Sequence, residues 1–354
     1  MQIGSLNPFL SSGSDSRKSK TCTELCRRIR NLKRFAFSVV LLTLSFSAEA
    51  QQPQKVPRIG LLSGLRPSPM PPSIEAFRKG LRELGYVEGQ NIIVEYRWAE
   101  GKDDRYAPLA AELVSLGVDL IVTGGTQATV AAKQATSTIP IVVGGAGDLV
   151  GEGLVAGLSR PGGNVTGFTG INPDLSAKRL ELLREALPKI SRVAILYHGG
   201  PGGDQEELRE TQTAAKKLGV QIQPLHVLES DQFQSAYAAM TKEHAQALII
   251  FAGTFTTFHR TDLLERAAKI RIPTISGTPE WSEAGALISY GHDRRDQYRR
   301  AAVYVDKILK GTKPADLPIQ QPMKFELVFN LKTAKQIGVT IPPTVLARAD
   351  RVIK

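Results

Sequence analysis

Cysteine is scarce in this chain of 354 residues, and the two that occur, Cys22 and Cys26, both lie near the N-terminus. Everything after them therefore lacks the residues for a disulfide framework or a cysteine-ligated metal site. The five histidines, at positions 198, 226, 244, 259 and 292, do not have the spacing of metal ligands. We therefore expect no metal site.

Motifs of catalysis and of phosphate binding are missing as well. There is no Gly-x-x-x-x-Gly-Lys-Ser/Thr phosphate loop and no Gly-x-Ser-x-Gly nucleophile turn. Gly145, Gly147 and Gly151 resemble a dinucleotide fingerprint, but the last interval is one residue too long and the motif follows the fourth expected strand instead of the first. We therefore expect no cofactor and no enzymatic activity, with a secreted α/β enzyme as the least favoured alternative.

The charge of the chain also contains no long basic run. Residues 1–50 hold eight basic and three acidic side chains, so they account for five of the eleven net positive charges. The remaining 304 residues carry only six, spread over a composition that is 42% hydrophobic overall. This pattern indicates a globular domain with a mildly basic surface and argues against nucleic-acid binding.

The N-terminal segment has the order of parts found in a secretory signal peptide. Five basic residues lie within 27–34, an apolar run occupies 35–46, and Ser47-Ala48-Glu49-Ala50 follows. The apolar run is shorter than the ~20 residues that a membrane-spanning helix needs. We therefore predict a signal peptide with an N-terminal extension over residues 1–50, cleaved after Ala50.

Apolar strands alternate with helical segments along the rest of the chain. In the first half we expect strands at 58–64, 91–98, 119–125 and 138–148, and helices near 74–84, 106–116 and 126–135. Ser73 is the expected cap of the first helix, and Gly85 its end. Because these apolar strands alternate regularly with helices, they indicate a parallel sheet covered by helices on both faces.

The second half of the chain repeats this order. Strands are expected at 192–199, 220–227, 247–253 and 271–277, and the Ile-Pro entry of the fourth strand recurs 133 positions after its counterpart in the first half. Further strands at 164–170 and 287–291 and a helix at 294–309 complete the pattern. The repeat predicts an α/β fold of two doubly wound, Rossmann-like lobes joined by a hinge of several strands. We expect residues 57–168 and about 292–319 in one lobe, and 169–291 and about 320–350 in the other.

Loops that leave the strand C-termini are the expected ligand site, since small molecules bind outside these ends in open α/β sheets. The candidate residues are Ser63, Gly64, Thr126, Gln127, Gly147 and Asp148 in the first lobe, and Tyr197, His198, Phe251, Gly253, Thr254, Trp281 and Tyr290 in the second. Hydroxyls and amides of these loops can hold a carboxylate.

Three kinds of candidate residue have an alternative role. Asp148 either pairs with an ammonium group of the ligand or caps the helix that follows it. Tyr197, Phe251, Trp281 and Tyr290 either form apolar walls around the ligand or belong to the core of the lobe. His198 is either a ligand contact or a loop histidine without a role.

Four stretches resemble one family in particular. They are Phe77–Tyr86, Leu158–Gly167, Lys307–Pro318 and Phe325–Lys335. With them, nearly all of 57–354 resembles the ABC transporter substrate-binding proteins related to the tryptophan- and tyrosine-binding TrpX type.

The resemblance implies a type I periplasmic binding fold, with two lobes, three crossings between them and a ligand enclosed in the cleft. It also implies a periplasmic, monomeric mature protein that delivers a small molecule, an aromatic or other amino acid, to an ABC permease in the inner membrane. The alternative is a periplasmic ligand sensor that presents its closed form to a membrane signalling protein.

Overall fold

The structure is a computed structural model and describes residues 55–199 and 204–354. The expected signal peptide and its cleavage site lie outside the described residues. Val56–Lys354 forms one compact unit. Among the described residues, no helix combines the length and the apolar character needed to cross a bilayer.

Strands and helices alternate along the described chain. The first half contains β1 (Arg58–Ser63), α1 (Pro72–Glu83), β2 (Ile93–Trp98), α2 (Tyr106–Ser115), β3 (Leu120–Gly124), α3 (Thr126–Ala135), β4 (Ile141–Ala146) and β5 (Val165–Thr169). The second contains α4 (Asn172–Ala186), β6 (Arg192–Tyr197), α5 (Asp204–Leu218), β7 (Gln221–His226), α6 (Phe233–Lys242), β8 (Ala247–Ile250), α7 (Thr254–Phe258), α8 (Arg260–Lys269), β9 (Thr274–Ser276), α9 (Pro279–Glu283), β10 (Ile288–Gly291), α10 (Arg294–Leu309), β11 (Glu326–Asn330), α11 (Leu331–Ile337), α12 (Pro343–Leu346) and β12 (Arg351–Ile353).

The strands form two separate sheets, each the centre of one lobe. The first lobe has five parallel strands in the order β2-β1-β3-β4-β5. The second has seven strands in the order β12-β11-β10-β9-β8-β6-β7, in which β10 and β11 run antiparallel. The order β2-β1-β3-β4 recurs as β7-β6-β8-β9, so the repeat expected from the sequence and the two-lobed α/β fold are confirmed.

Burial on both faces explains why the central strands are mostly apolar. In β1, Ile59 and Leu61 pack in a cluster with Phe77 of α1 and Ala301 of α10. The neighbouring Leu62 points to the opposite face, into a cluster shared with α2 and α3. Successive side chains of a strand alternate between faces, so a sheet covered by helices on both sides needs an apolar residue at every position.

The chain crosses between the lobes three times. The first crossing follows β5, since α4 packs against α5 and β10 of the second lobe. The second follows β10, since α10 packs against α1 and β4 of the first lobe. The third lies between α10 and β11. There Gln320 pairs with Phe168 of β5 in the first lobe, and the chain then continues into β11 of the second sheet. Three crossings agree with the fold that the resemblance implies.

The prediction that Ser73 caps the first helix is wrong. The helix α1 begins at Pro72, its N-cap residue is Pro71, and no side chain caps it. Proline suits the first turn because the backbone N–H that it lacks would have no intrahelical partner there. Ser73 is instead buried and faces the space between the lobes.

Candidate functional site

A cavity of about 60 Å³ lies between the C-terminal ends of the two sheets. The loops after β1, β3 and β4 line it from the first lobe, and those after β6, β8, β9 and β10 from the second. We call it the cleft cavity. Its position follows from the strand order, because the carboxyl ends of the parallel strands in both lobes open toward the same space.

The structure brings seven of the thirteen candidate residues to the cleft cavity: Ser63, Thr126, Gln127, Gly147, His198, Gly253 and Thr254. Gly64 lies beside it, where a Cβ atom would stand 2.5 Å from Thr254 Cγ2 of the other lobe. The strand-end loops of both lobes therefore come together around one cavity.

The first-lobe wall is the start of α3. Gly125 is its N-cap residue, so the backbone N–H groups of Thr126 and Gln127 belong to the first turn and have no acceptor within the helix. Thr126 Oγ1 accepts a hydrogen bond from the Gly147 backbone N at 3.0 Å, which leaves its own O–H to donate. With the positive end of the helix dipole, these donors favour an anionic group of a ligand.

The second-lobe wall presents a carboxylate, that of Asp204, the first residue of α5. Asp204 Oδ2 accepts hydrogen bonds from the backbone N of His198 and of Gly199, both at 3.3 Å. Burial raises the pKa of Asp204, although these hydrogen bonds oppose the shift. A positively charged group in the cavity would favour the ionised carboxylate.

His198 connects the two walls. Its ring stacks on Phe255, with 4.3 Å between centroids, and its Nε2 lies 3.8 Å from Asp103 Oδ2 of the first lobe. Burial raises the pKa of Asp103, while the nearby His198 acts in the opposite direction. The Nδ1 atom of His198 is buried and has no hydrogen-bond partner within the described part of the chain.

The second crossing contributes residues that the sequence analysis missed. His292, Arg294, Gln297 and Tyr298 all line the cleft cavity. Burial, together with the positive charges of Arg294 and Arg179, lowers the pKa of His292 to about 3, so its imidazole is neutral. Arg294 Nη2 donates to the Ala252 backbone O at 2.6 Å, so this hydrogen bond connects the second crossing to the second lobe.

Signals for two of the missed residues exist in the sequence. Asp204 follows the loop after β6, which is the first strand of the repeat, and His292 directly follows the strand expected at 287–291. Both therefore follow the C-terminal end of a strand, which is where the sequence analysis expects ligand contacts. By contrast, Gln297 and Tyr298 lie inside α10, and only the packing of this helix against β4 brings them to the cavity.

The structure places the other candidates away from the cavity. Asp148 Oδ1 accepts from the Val150 backbone N at 3.0 Å, so this side chain stabilises its own turn, and the turn does not continue into a helix. Tyr197 and Phe251 pack in one core cluster of the second lobe, and Trp281 is fully buried in the other. Tyr290 packs against Phe325. The rings that do line the cavity are Phe255, Tyr298, His198 and His292.

Metal binding has no support from the described side chains. In residues 55–199 and 204–354, no three His, Cys, Asp or Glu residues come together as a group that could hold a metal ion.

Comparison with known proteins gives consistent results. A family model described as ABC transporter substrate binding protein matches residues 68–353. A tyrosine-binding protein of Clostridioides difficile (strain R20291) is 25% identical over 273 residues, which cover 76% of this chain and 78% of that protein.

Solved structures show the same similarity. The crystal structure of a conserved domain protein from Vibrio cholerae O1 biovar eltor is 29% identical, with a TM-score of 0.77, and covers 84% of this chain and 100% of that chain. An ABC domain from Streptococcus pneumoniae in complex with L-Trp is 26% identical, with a TM-score of 0.77, and covers 84% of this chain and 99% of that chain.

Proposed function

Since the chain belongs to the family of ABC transporter substrate-binding proteins, we propose that it binds a zwitterionic amino acid in the cleft cavity. It delivers this ligand to an ABC permease of the inner membrane by opening and closing its lobes. An aromatic amino acid is the proposed class, because one relative is a tyrosine-binding protein and a solved structure of similar fold holds L-Trp.

The opposite polarity of the two cavity walls is the observation that carries the proposal. The first turn of α3 offers N–H and O–H donors at Thr126 and Gln127, which suit a carboxylate. Asp204 on the other wall offers an anionic acceptor, which suits an ammonium group. A free amino acid carries both groups on one carbon atom and can bridge the lobes.

The aromatic side chain of the ligand would lie among the apolar residues of the same cavity, which at about 60 Å³ must widen by an outward movement of the lobes to admit it. Phe255 and Tyr298 contribute rings, and Leu65 and Ala252 contribute aliphatic surface. Offset or edge-to-face contacts between aromatic rings add about 0.5–1.5 kcal/mol beyond the burial of their area.

Closure of the lobes on the ligand is the proposed delivery signal. Both lobes line the cleft cavity, so a ligand that contacts both walls stabilises the closed form over an open one. The three crossings are the natural hinge. We propose lobe boundaries of 57–168 with about 292–319, and 169–291 with about 320–350, supported by the packing of α10 on the first lobe and of β11 and β12 in the second sheet.

The remaining features of the proposal concern location and assembly. We place the mature protein in the periplasm as a monomer without enzymatic activity or nucleic-acid partner. The basic, apolar and Ala-x-Ala order of residues 27–50 supports export.

Thermal unfolding with a set of matched ligands tests the function. The probes are L-tryptophan, L-tyrosine and L-phenylalanine, with N-acetyl-L-tryptophan and L-tryptophan amide as controls that lack the ammonium and the carboxylate. A ligand at 100 times its Kd stabilises the folded form by about 2.7 kcal/mol. We expect this stabilisation with at least one free amino acid and a much smaller one with both controls. An N-acetyl derivative that binds as tightly as the free amino acid would contradict the role of Asp204.

A further inference from the structure

A second, larger cavity adjoins the cleft cavity. Its volume is about 470 Å³, within the range of small-molecule sites, and we call it the side cavity. Residues 65–73 of the first lobe form one wall, and residues 257–265 and 278–280 of the second lobe form the other. It shares Leu65, Ser73, Thr278 and Arg294 with the cleft cavity.

Two opposite charges at the wall of the side cavity lack hydrogen-bond partners. Glu280 is only 8% exposed, and its Oε2 atom is buried without a partner among the described residues. The Nε atom of Arg260 is likewise buried and, over the same residues, unpaired. The two side chains attract each other electrostatically, but a buried polar atom without a hydrogen bond still costs free energy, which the polar groups of a ligand can recover.

Two other charged side chains at the side cavity are already engaged. Arg294 donates to the Ala252 backbone O and to Thr257 Oγ1, at 2.6 and 3.4 Å. Asp262 accepts from Arg266 at 2.8 Å. Arg260 and Glu280 differ from these two in that each has a buried polar atom left without a hydrogen bond within the described chain.

The opposite side of the side cavity is apolar. Pro69, Met70, Pro71 and Pro72 of the first lobe and Phe258 of the second line it. A ligand that fits must therefore combine an anionic group, a cationic group and an apolar body.

We propose that the side cavity is a second small-molecule site, which binds a zwitterionic amino acid with an apolar side chain. Its carboxylate accepts from the Arg260 guanidinium, and its ammonium group donates to the Glu280 carboxylate, after small movements that open these buried side chains to the cavity. Because both lobes line the side cavity, its occupant favours the closed form as the cleft ligand does. The two sites are then linked, and each ligand raises the affinity for the other.

Isothermal titration calorimetry of the purified protein, first freed of bound small molecules, tests this site. L-Tryptophan and L-leucine are the probes, titrated separately. We expect two equivalents of at least one probe per chain. Glu280→Gln and Arg260→Gln should each weaken one class of sites roughly ten- to a hundredfold, the effect of losing a hydrogen bond to a charged group, and leave the other equivalent in place.

A matched control lies on the same helix. Glu283 pairs with Arg295 and Arg351 at the protein surface and lines neither cavity. Glu283→Gln should therefore keep both equivalents. The double variant Arg260→Gln/Glu280→Gln removes both charges together, so it tests the site even if a single substitution prevents folding.

The outcomes separate this proposal from the proposed function. Suppose that the chain binds one equivalent of probe, and that Asp204→Asn abolishes this binding while Glu280→Gln leaves it unchanged. This result would overturn the second site and preserve the cleft function. If the chain binds one equivalent of probe and both substitutions weaken its binding, one ligand spans the two cavities. This result would also overturn the second site. Two equivalents, one sensitive to each substitution, would support the proposal.

Discussion

Gly125 and Thr254 meet across the cleft, since a Cβ atom on Gly125 would lie 2.2 Å from Thr254 Oγ1. Gly125 precedes α3 in the first lobe, and Thr254 begins α7 in the second. Atoms that are not bonded cannot approach this closely, so the lobes can touch here only because residue 125 has no side chain.

Gly125→Ala should therefore weaken ligand binding by hindering closure. The residue also has a φ of +95°, where a Cβ atom adds strain of about 1–2 kcal/mol. We expect the affinity for the best amino acid probe to fall at least tenfold, roughly the effect of 1.4 kcal/mol. Calorimetric titration measures this change.

The double variant Gly125→Ala/Thr254→Ala separates the two causes. Thr254→Ala removes the Oγ1 atom that the new methyl group would strike, but it leaves the backbone of residue 125 unchanged. We expect the double variant to recover part of the lost affinity. If it binds as weakly as Gly125→Ala alone, backbone strain accounts for the whole effect and the steric account of closure is wrong.

Asp204→Asn should reduce the affinity for a free amino acid by about ten- to a hundredfold, because it removes the charge that pairs with the ammonium group. The asparagine oxygen can still accept from the backbone N–H groups of His198 and Gly199, so the loop should keep its shape. Asp148→Asn is the matched control, since Asp148 stabilises its own turn away from the cavity. An equal loss of affinity in both variants would contradict the role of Asp204.

The pH dependence of binding provides a further test of Asp204. Burial raises its pKa above the ordinary value near 3.8, and a ligand ammonium group binds only the ionised carboxylate. Affinity should therefore be full above the raised pKa and decrease as the pH falls through it. Because the folded protein favours the protonated form, this group stabilises the ligand-free fold at low pH, and this contribution is lost as the pH rises through the raised pKa. Titrations with Asp204→Asn should lack the pH-dependent change in affinity.

The fold could be predicted because its determinants are local and repeated. Strands such as β1 and β3 have apolar residues at successive central positions, so they indicate a doubly covered parallel sheet without any knowledge of tertiary contacts. The repeat of the first four strands in the second half then predicts two lobes. The cap of α1 could not be predicted in this way, because Pro71-Pro72 and Ser73 are all acceptable near a helix start, and the packing of the loop decides between them.

The site could be predicted only as a region. Glycines and hydroxyls after β1, β3 and β8 indicate loops that ligands can approach, and the structure brings Ser63, Thr126 and Thr254 to the cavity. The direction of a side chain is set by packing, so Trp281 at such a strand end is buried in the core instead. Gln297 and Tyr298 could not be found from strand ends, because α10 brings them to the cavity after the second crossing.

Arg66 and Phe258 form a contact between the lobes at the edge of the side cavity. The guanidinium carbon of Arg66 lies 4.4 Å from the centre of the Phe258 ring. A cation–π contact at an exposed site contributes about 0.5–1 kcal/mol, so Arg66→Gln should lower ligand affinity roughly two- to fivefold. Arg66→Lys keeps a cation and should lose less. A large fall in the melting temperature of the ligand-free protein would show instead that Arg66 stabilises the fold.

Arg179 and Glu207 form a buried ion pair at the hinge. Both side chains are almost completely buried, and Arg179 Nη1 donates to Glu207 Oε1 at 2.6 Å. Arg179 also donates to the Tyr290 backbone O and to Asn172 Oδ1, which lie beside the second and the first crossing. Arg179 therefore links two of the three crossings that form the hinge.

Arg179→Met should destabilise the protein by about 3–5 kcal/mol, because it leaves the Glu207 carboxylate buried without a partner. Chemical denaturation measures this loss. The double variant Arg179→Met/Glu207→Leu replaces both charges with apolar side chains and should recover most of the stability. If the double variant is as unstable as the single one, the bonds of Arg179 to the crossings matter more than its pairing with Glu207.

The stability of the hinge should also depend on pH through Glu207. Burial raises the pKa of Glu207 to about 7, although Arg179 opposes the shift. A carboxyl group whose pKa is higher in the folded than in the unfolded protein stabilises the fold most when it is protonated, below its ordinary value near 4.5. This contribution should be lost as the pH rises through about 7, which denaturation over pH 4–8 would detect. Glu207→Gln, which keeps a hydrogen-bonding oxygen without titrating, should remove this decrease, and an unchanged pH profile would assign the decrease to another group.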